Sequence, residues 1–358
     1  MEKNIRQYFP GAITYQGYLS HWDTNLEGID QLYILKGGPG TGKATLMRRI
    51  GKALAEAGLE TELLWCSSDA RSLDGVIIRD FSLAIMDGTA PHTRDPVYPG
   101  VRDMIVDLGR FWRRDILKEY RQEILSLTNE NKKMFLEIYA LLKKARDFAE
   151  RRQSLYKIRL DEEGMEAWLD QLLKEQLVGN SIPKEPSRHR FYTIMAPQGL
   201  VSHFDELFEQ AEKGYQFITD DLAIGTKVLN YIGTKAQGKG YGVWFVHDPQ
   251  EPDALNAVFL PELKALYYLN GEALGDKCKT VELERWYHKN LNGRNELEAE
   301  FLLTAIEDAR QRAQKLMAEN KKIHDHLETY YVKAMDFTAL EMEKEVLIRE
   351  FLAGGGLK

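Results

Sequence analysis

The stretch from Leu32 to Ile50, LYILKGGPGTGKATLMRRI, decides the fold that we predict. Residues 32–35 form a short apolar run typical of a strand, and apolar residues recur at helical spacing over residues 46–50. Between them, the pattern Gly-x4-Gly-Lys, from Gly37 to Lys43, has the spacing of a phosphate-binding loop that joins a strand to a helix. The stretch therefore predicts a strand, a glycine-rich turn and a helix around one anion-binding site.

The residue types of this loop suit phosphate binding. Glycine lacks a Cβ, so the backbone can curl and present successive N–H groups to phosphate oxygens. The helix that starts near Lys43 points its positive dipole end at the same anion, and the ammonium adds charge for the β- and γ-phosphates. We predict that Lys43 is also catalytic and that the following residues bind the nucleotide: Gly38, Pro39, Gly40, Thr41, Gly42, Lys43, Ala44 and Thr45.

One position departs from the usual pattern, because Ala44 stands where Ser or Thr normally gives a hydroxyl to Mg²⁺. Thr45 follows, and we expect its hydroxyl near the α-phosphate. Two interpretations remain open. Either Ala44 weakens metal binding, or the loop is of a Gly-Lys-small-Thr type that resembles the adenylate kinase family (GGPGxGKGT), a resemblance that implies magnesium held largely through water. In both cases we expect ATP and Mg²⁺ as cofactors.

Composition limits the class of protein. The chain has 358 residues, of which 44% are hydrophobic, enough for two domains with cores of their own. A formal net charge of −7 argues against a general nucleic-acid binder. Cys66 and Cys278 are too few for a disulfide framework. The N-terminus does not read as a signal peptide, and no apolar run approaches the ~20 residues of a membrane span, so we expect a cytoplasmic protein without a membrane partner.

The sequence repeats itself. When the first half is aligned with the second at one constant offset, Phe9 matches Phe191, and the alignment holds without a gap for many residues. At a slightly larger offset, the block 130–133, Glu-Asn-Lys-Lys, matches an identical block at 319–322. We therefore predict two copies of one α/β unit, with domains at residues 1–180 and 181–358. A polar, proline-containing linker lies near the boundary. A protein partner or a homo-oligomer is left open.

The second copy has lost the glycine loop. The positions of residues 37–45 are occupied by residues 219–227, where Gly225 replaces the lysine and two aspartates, Asp220 and Asp221, would repel phosphate. Lys227 is displaced by two residues and reads as an ordinary helix lysine. We predict one nucleotide site in each chain, in the first half.

The predicted fold class is α/β, with two tandem P-loop NTPase-like units, each a mainly parallel sheet flanked by helices and carrying a helical insert. In the first unit we predict further strands at 61–66, 76–78 and 83–87, and helices over 102–178. The apolar face of the insert predicts either a lid or a hairpin that packs the two halves together. Because ligands lie beyond the carboxyl ends of parallel strands, the loop and the strand-end acids should share one edge.

Two acids at strand ends are candidate catalytic residues. Asp87 ends a hydrophobic strand, as the magnesium-associated acid of P-loop NTPases does, and is our predicted metal residue; the alternative is an aspartate that caps a turn. Asp69 is placed to orient water or metal, or else to close an Asx turn. His92 and an arginine among residues 110–114 are weaker candidates for phosphate contact. His21 and its match in the second copy, His203, read as structural.

These motifs resemble a known group of proteins. GGPGTGKATLM, CSSDARSLDGVII, LAIMDGTAPH and DPVYPG are similar to segments of uncharacterised bacterial tandem P-loop ATPases or nucleotide-binding proteins, mostly from Gram-positive, Clostridia-like bacteria. The resemblance covers nearly the whole chain and implies the duplicated fold and nucleotide binding. Members often carry a serine after the loop lysine and a recognisable second loop, and this chain departs from them at both places.

Three functions remain open from the sequence. The first is an ATP-binding P-loop NTPase that hydrolyses ATP slowly as a conformational switch. The second is a small-molecule kinase with a Gly-Lys-small-Thr loop, and the third is a nucleotide-binding scaffold that does not hydrolyse ATP. Since no Asn-Lys-x-Asp motif for guanine follows the loop, ATP is preferred over GTP.

Overall fold

The computed structural model describes residues 5–90, 93–178, 186–271, 275–291 and 293–354. Its strands are β1 Ile5–Tyr8, β2 Gly11–Thr14, β3 Gly17–Ser20, β4 Gln31–Lys36, β5 Thr61–Trp65, β6 Leu73–Ile78, β7 Leu83–Asp87, β8 Asp103–Asp107, β9 Tyr156–Leu160, β10 Arg188–Arg190, β11 Thr193–Ala196, β12 Gly199–Ser202, β13 Lys213–Ile218, β14 Trp244–His247, β15 Leu255–Leu260, β16 Ala265–Leu269, β17 Cys278–Glu282 and β18 Tyr287–Leu291. Its helices are α1 Trp22–Asn25, α2 Lys43–Glu56, α3 Arg114–Glu119, α4 Arg121–Ser154, α5 Glu162–Gln176, α6 Asp205–Gln210, α7 Leu222–Gly238, α8 Gly293–Lys333 and α9 Phe337–Gly354.

The strands form two six-stranded sheets with the same internal order. The first sheet runs β1-β5-β6-β7-β4-β8, and the second runs β10-β14-β15-β16-β13-β17. In each sheet three pairings are parallel, while the third strand, β6 or β15, is antiparallel to both neighbours. The predicted α/β class with two sheets flanked by helices is confirmed, and each sheet is mixed with a parallel majority.

The antiparallel strand in each sheet follows from short connections. A parallel crossover needs a dozen or more residues, usually a helix, whereas antiparallel neighbours need only a turn. Residues 66–72 join β5 to β6, and residues 79–82 join β6 to β7, so both connections are turns. β5, β6 and β7 are therefore antiparallel neighbours within a sheet whose other pairings are parallel.

The prediction of helices throughout residues 102–178 is wrong in two places. β8 and β9 are five-residue strands whose side chains alternate between the inside and the outside of the protein. β8 pairs with β4, and β9 pairs with β18, which lies far along the chain. Such short strands carry little periodicity and depend on distant partners, so the helical pattern on either side of them dominated the sequence analysis.

The two long helices of the inserts pack against each other along their length. The rings of Tyr120 and Tyr330 lie 4.9 Å apart at one end, and Arg151 donates to Glu298 at 2.8 Å near the other, so α4 and α8 run antiparallel. Small and branched side chains, including Ala145 and Ile306, fill the contact between them. Of the two predicted roles for the insert, packing of the halves is the one observed.

The helix that follows each insert packs on the sheet of the other half of the chain. Leu169 and Leu173 of α5 are buried in the core of the second sheet, beside α7. Leu347 and Phe351 of α9 are buried in the core of the first sheet, beside α2. Each half therefore covers part of the other half's hydrophobic core.

The two halves meet about an approximate two-fold axis. Phe9 and Phe191, which match in the repeat, exchange backbone hydrogen bonds of 2.8 and 3.2 Å across the contact. His21 stacks on Phe191 at 5.1 Å, and its match His203 packs on Phe9 at 5.0 Å. In a two-fold contact, each interaction occurs twice with the two matching residues interchanged, as in these His–Phe pairs. The halves are thus arranged like the subunits of a symmetric dimer.

Two predictions fall on residues outside the described ranges. The domain boundary at residue 180 lies within 179–185, and His92 lies within 91–92. Among the helices of the described residues, none combines the length and apolarity needed to cross a membrane.

Candidate phosphate-binding site

The glycine loop, residues 37–45, follows β4 and includes the first turn of α2, so it leads from the strand into the helix as predicted from the sequence. Gly40 and Gly42 have φ values of +68° and +74°, a region in which other L-residues are strained. Gly42 is the N-cap of α2 and offers no side chain to bond the free N–H groups of the first helical turn. The loop lines a cavity of about 640 Å³, so the positive end of α2 faces open space.

The Lys43 ammonium lies over the loop. It donates to the carbonyl oxygens of Gly37 at 2.6 Å and Gly38 at 2.9 Å, and it lies 3.6 Å from Asp87 Oδ2. Thr41 also donates to the Gly38 carbonyl, at 2.9 Å, and this bond closes the turn. The cation is thus positioned at the helix N-terminus, where an anion would find both the ammonium and the backbone N–H groups.

Asp87 caps a turn with one carboxylate oxygen and faces Lys43 with the other. Its Oδ1 accepts hydrogen bonds from the Thr89 backbone N–H at 2.8 Å and from the Thr89 hydroxyl at 2.5 Å, so this oxygen caps the turn after β7. Its Oδ2 faces Lys43. Burial raises the pKa of Asp87, and the Lys43 ammonium offsets part of that rise. One carboxylate oxygen is therefore structural, while the other belongs to the candidate site.

Asp69 lies between β5 and β6, on the wall of the same cavity. Its Oδ1 accepts from the Arg71 backbone N–H at 3.1 Å, which is the Asx turn considered as the alternative role. Its Oδ2 forms an ion pair of 3.2 Å with Lys321 of α8. Burial by itself would raise the pKa of Asp69, but the Arg71 N–H and the Lys321 ammonium outweigh it and lower the pKa.

The second half supplies one wall of the cavity, which the sequence analysis missed. Five residues of α8 line the same cavity as the glycine loop: Met317, Asn320, Lys321, His324 and Glu328. The repeated Glu-Asn-Lys-Lys block could have indicated that α8 contributes to the site. Asn131 and Asn320, which match in that block, both line this cavity from the two antiparallel helices.

Helices of the second half also pack directly on the glycines. A Cβ added at Gly40 would lie 2.6 Å from Val332 and 3.2 Å from Glu328, and one added at Gly42 would lie 2.9 Å from Lys344 Nζ. These glycines are therefore needed for close packing as well as for backbone conformation. The loop is held between its own sheet and the end of α8.

The loop fits Mg²⁺ in part. Ala44 lines the cavity and has no oxygen to offer, and Thr45, beside it, is exposed. Asp87 Oδ2 is a carboxylate oxygen of the kind that Mg²⁺ prefers. The structure thus keeps the acidic residue of the predicted metal site and lacks the hydroxyl.

In the second half, the equivalent helix terminus is closed by the chain itself. Asp221 is the N-cap of α7 and accepts from the N–H groups of Ala223 and Ile224 at 3.1 and 3.2 Å. Lys289 lies 3.3 Å from the Asp221 carboxylate, and the Tyr287 hydroxyl donates to Asp220 at 2.6 Å. A carboxylate already occupies the place where an anion would bind.

The remaining candidates from the sequence lie elsewhere. Arg110 forms an ion pair with Glu343, and Arg113 donates to the Lys333 carbonyl, so both arginines already have partners from the second half. His21 and His203 pack against phenylalanine rings in the contact between the halves, as expected for structural histidines. The candidate site is therefore the glycine loop, Asp87 at the end of β7, Asp69 in the connection from β5 to β6, and the side of α8 that lines the cavity.

Comparisons with protein-family models, with curated proteins and with solved structures returned no match. The resemblance to tandem P-loop proteins stays a prediction from the motifs.

Proposed function

We propose that the protein binds ATP at the glycine loop and hydrolyses it slowly. One observation carries the proposal: α2 begins with an uncapped terminus at a large cavity, next to Lys43, whereas the equivalent α7 is capped by Asp221. A protein that used this turn only to join a strand to a helix would gain from a capping side chain in both halves. The difference supports one anion site in each chain.

Each residue around the loop would have a separate role in binding and hydrolysis. The loop N–H groups and Lys43 would hold the phosphates, and the Thr45 hydroxyl would lie near the α-phosphate. Mg²⁺ would be held through water by Asp87 and would neutralise phosphate charge. Catalysis would then consist of positioning and charge stabilisation, and the missing hydroxyl at Ala44 would make hydrolysis slow.

The test is titration calorimetry of the full chain with ATP and Mg²⁺. We expect Lys43→Ala to weaken ATP binding at least 100-fold, equivalent to about 2.7 kcal/mol, because the loop loses a charge-assisted contact. The matched control is Lys227→Ala, which removes the displaced lysine of the second half and should leave ATP affinity unchanged. Undiminished affinity in Lys43→Ala would exclude the proposal.

A small-molecule kinase is the second candidate, and the shape of the cavity favours it. The cavity extends past the loop to apolar side chains of both halves, namely Ile13, Phe135 and Met317. That end combines an apolar wall with a few polar groups, as small-molecule sites do. ATP labelled at the γ-phosphate separates the two candidates, because release of free phosphate alone indicates hydrolysis and a labelled organic product indicates a kinase.

A further inference from the structure

Three potential metal ligands lie together on α8, and two of them are on the wall that this helix contributes to the cavity. His324, Asp325 and Glu328 each place one ligand atom within 4.8 Å of the others. His324 and Glu328 line the cavity and are one helical turn apart, so they lie on the same face of α8. Their spacing suits simultaneous contact with one cation.

Polar atoms without partners point to the same place. Asn320, one turn before His324, is only 4% exposed and lines the cavity. Its Oδ1 and the Nδ1 of His324 are buried and have no hydrogen-bond partner within the described ranges of the chain. An unsatisfied buried polar atom costs about 1–3 kcal/mol, so such atoms favour a bound group that is close to them.

The charges of this ligand group suit a divalent cation. Asp325 and Glu328 supply two negative charges. The nearby ammonium of Lys321 is already paired with Asp69 at 3.2 Å and with one oxygen of Asp325, which leaves the second oxygen of that carboxylate. An imidazole with carboxylates suits first-row transition metals, whereas Mg²⁺ and Ca²⁺ prefer oxygen ligands throughout.

We propose that α8 binds a divalent first-row transition-metal ion through His324, Asp325 and Glu328, facing the glycine loop. The Glu328 side chain lies 3.2 Å from the position of a Cβ on Gly40, so the ion would sit beside the loop. The second half would thereby supply a cation next to the phosphates, where Ala44 supplies no ligand. This last role rests on the proposed ATP binding, but the binding of the metal itself does not.

The test uses Mn²⁺ alone with the full chain, measured by the electron paramagnetic resonance signal of free Mn²⁺. We expect the wild type to bind one Mn²⁺, and His324→Ala/Glu328→Gln to bind it at least tenfold more weakly. The matched control, Glu319→Gln/His326→Ala, changes an exposed glutamate and an exposed histidine of the same helix and should bind normally. Nitrogen coupling to bound Mn²⁺ should disappear in His324→Ala if that imidazole is a ligand.

Failure of this proposal is distinguishable from failure of ATP binding. Lys43→Ala should bind Mn²⁺ as the wild type does, because Lys43 is not a ligand. Mn²⁺ binding that weakens in the double variant, without detectable ATP binding, would uphold the metal site and exclude the proposed function. Normal ATP binding with the same Mn²⁺ affinity in the double variant and the wild type, or no Mn²⁺ uptake by the wild type, would exclude the metal site.

Discussion

At the scale of single residues, Gly40 meets two requirements that mutation can separate. Its φ of +68° strains any other L-residue, and a Cβ there would also meet the Val332 side chain at 2.6 Å. Gly58, at the end of α2, shares only the first requirement, because its φ is +86° and nothing lies within 4 Å of an added Cβ. Comparing substitutions at Gly40 and Gly58 therefore separates the packing of α8 on the glycine loop from backbone strain.

We expect Gly58→Ala to lower the free energy of unfolding by about 1–2 kcal/mol, the cost of left-handed backbone. Gly40→Ala should cost measurably more, because Val332 and the end of α8 must move. The measurement is urea unfolding of both variants. Equal losses would show that the loop and α8 do not pack closely in solution.

The sequence predicted the glycine loop correctly but only part of the candidate site. The start of α2 at Lys43 and the end of β7 at Asp87 agree with the sequence analysis, because glycine spacing and an apolar run are local signals. His324 and Glu328 carried no local signal, since nothing in their neighbourhood indicates which cavity α8 faces. Such contacts between distant segments depend on how the helices dock.

At the scale of elements, the exchange of α5 and α9 makes each sheet depend on the other half. Phe351 of α9 is 2% exposed and meets Tyr33 of the first sheet edge-on at 4.5 Å. Met342, on the same helix, is 64% exposed. The sequence of α9 does not show which of the two sheets the helix covers.

We expect Phe351→Ala to lower the free energy of unfolding by about 3–5 kcal/mol, because it leaves a cavity in the core of the first sheet. Met342→Ala should change it by less than about 0.5 kcal/mol. Denaturant unfolding followed by tryptophan fluorescence compares them. Similar effects of the two substitutions would contradict the docking of α9 on the first sheet.

At the scale of the whole molecule, the contact between the halves buries titratable groups. His189 Nδ1 lies 2.7 Å from His247 Nε2, and His247 Nδ1 donates to the Pro252 carbonyl at 2.7 Å, so His189 is the donor to His247. His21 stacks on His247 at 4.6 Å. Burial lowers the pKa of His21 to about 3 and that of His247 to about 4, from the ordinary value of 6.5.

These shifts predict loss of stability in mild acid. A histidine whose folded pKa lies below its unfolded pKa stabilises the fold fully above pH 6.5 and loses that contribution as the pH falls towards the folded pKa. We expect the free energy of unfolding to fall by about 1 kcal/mol per pH unit for each such histidine between pH 6.5 and 4. His21→Phe should flatten the profile, while His326→Phe, at an exposed site on α8, should leave it unchanged. Identical profiles for His21→Phe and the wild type would contradict the prediction.

The sequence by itself determined the α/β class, the strand–loop–helix around Lys43 and the duplication with one glycine loop lost. These features rest on local signals: glycine and lysine spacing, apolar periodicity and register between two copies. Only the tertiary structure decided that α8 of the second half faces the loop of the first and that α5 and α9 exchange sheets. Each of these results from packing between segments far apart in the chain, where the burial of complementary apolar faces, rather than any local pattern, selects the partner.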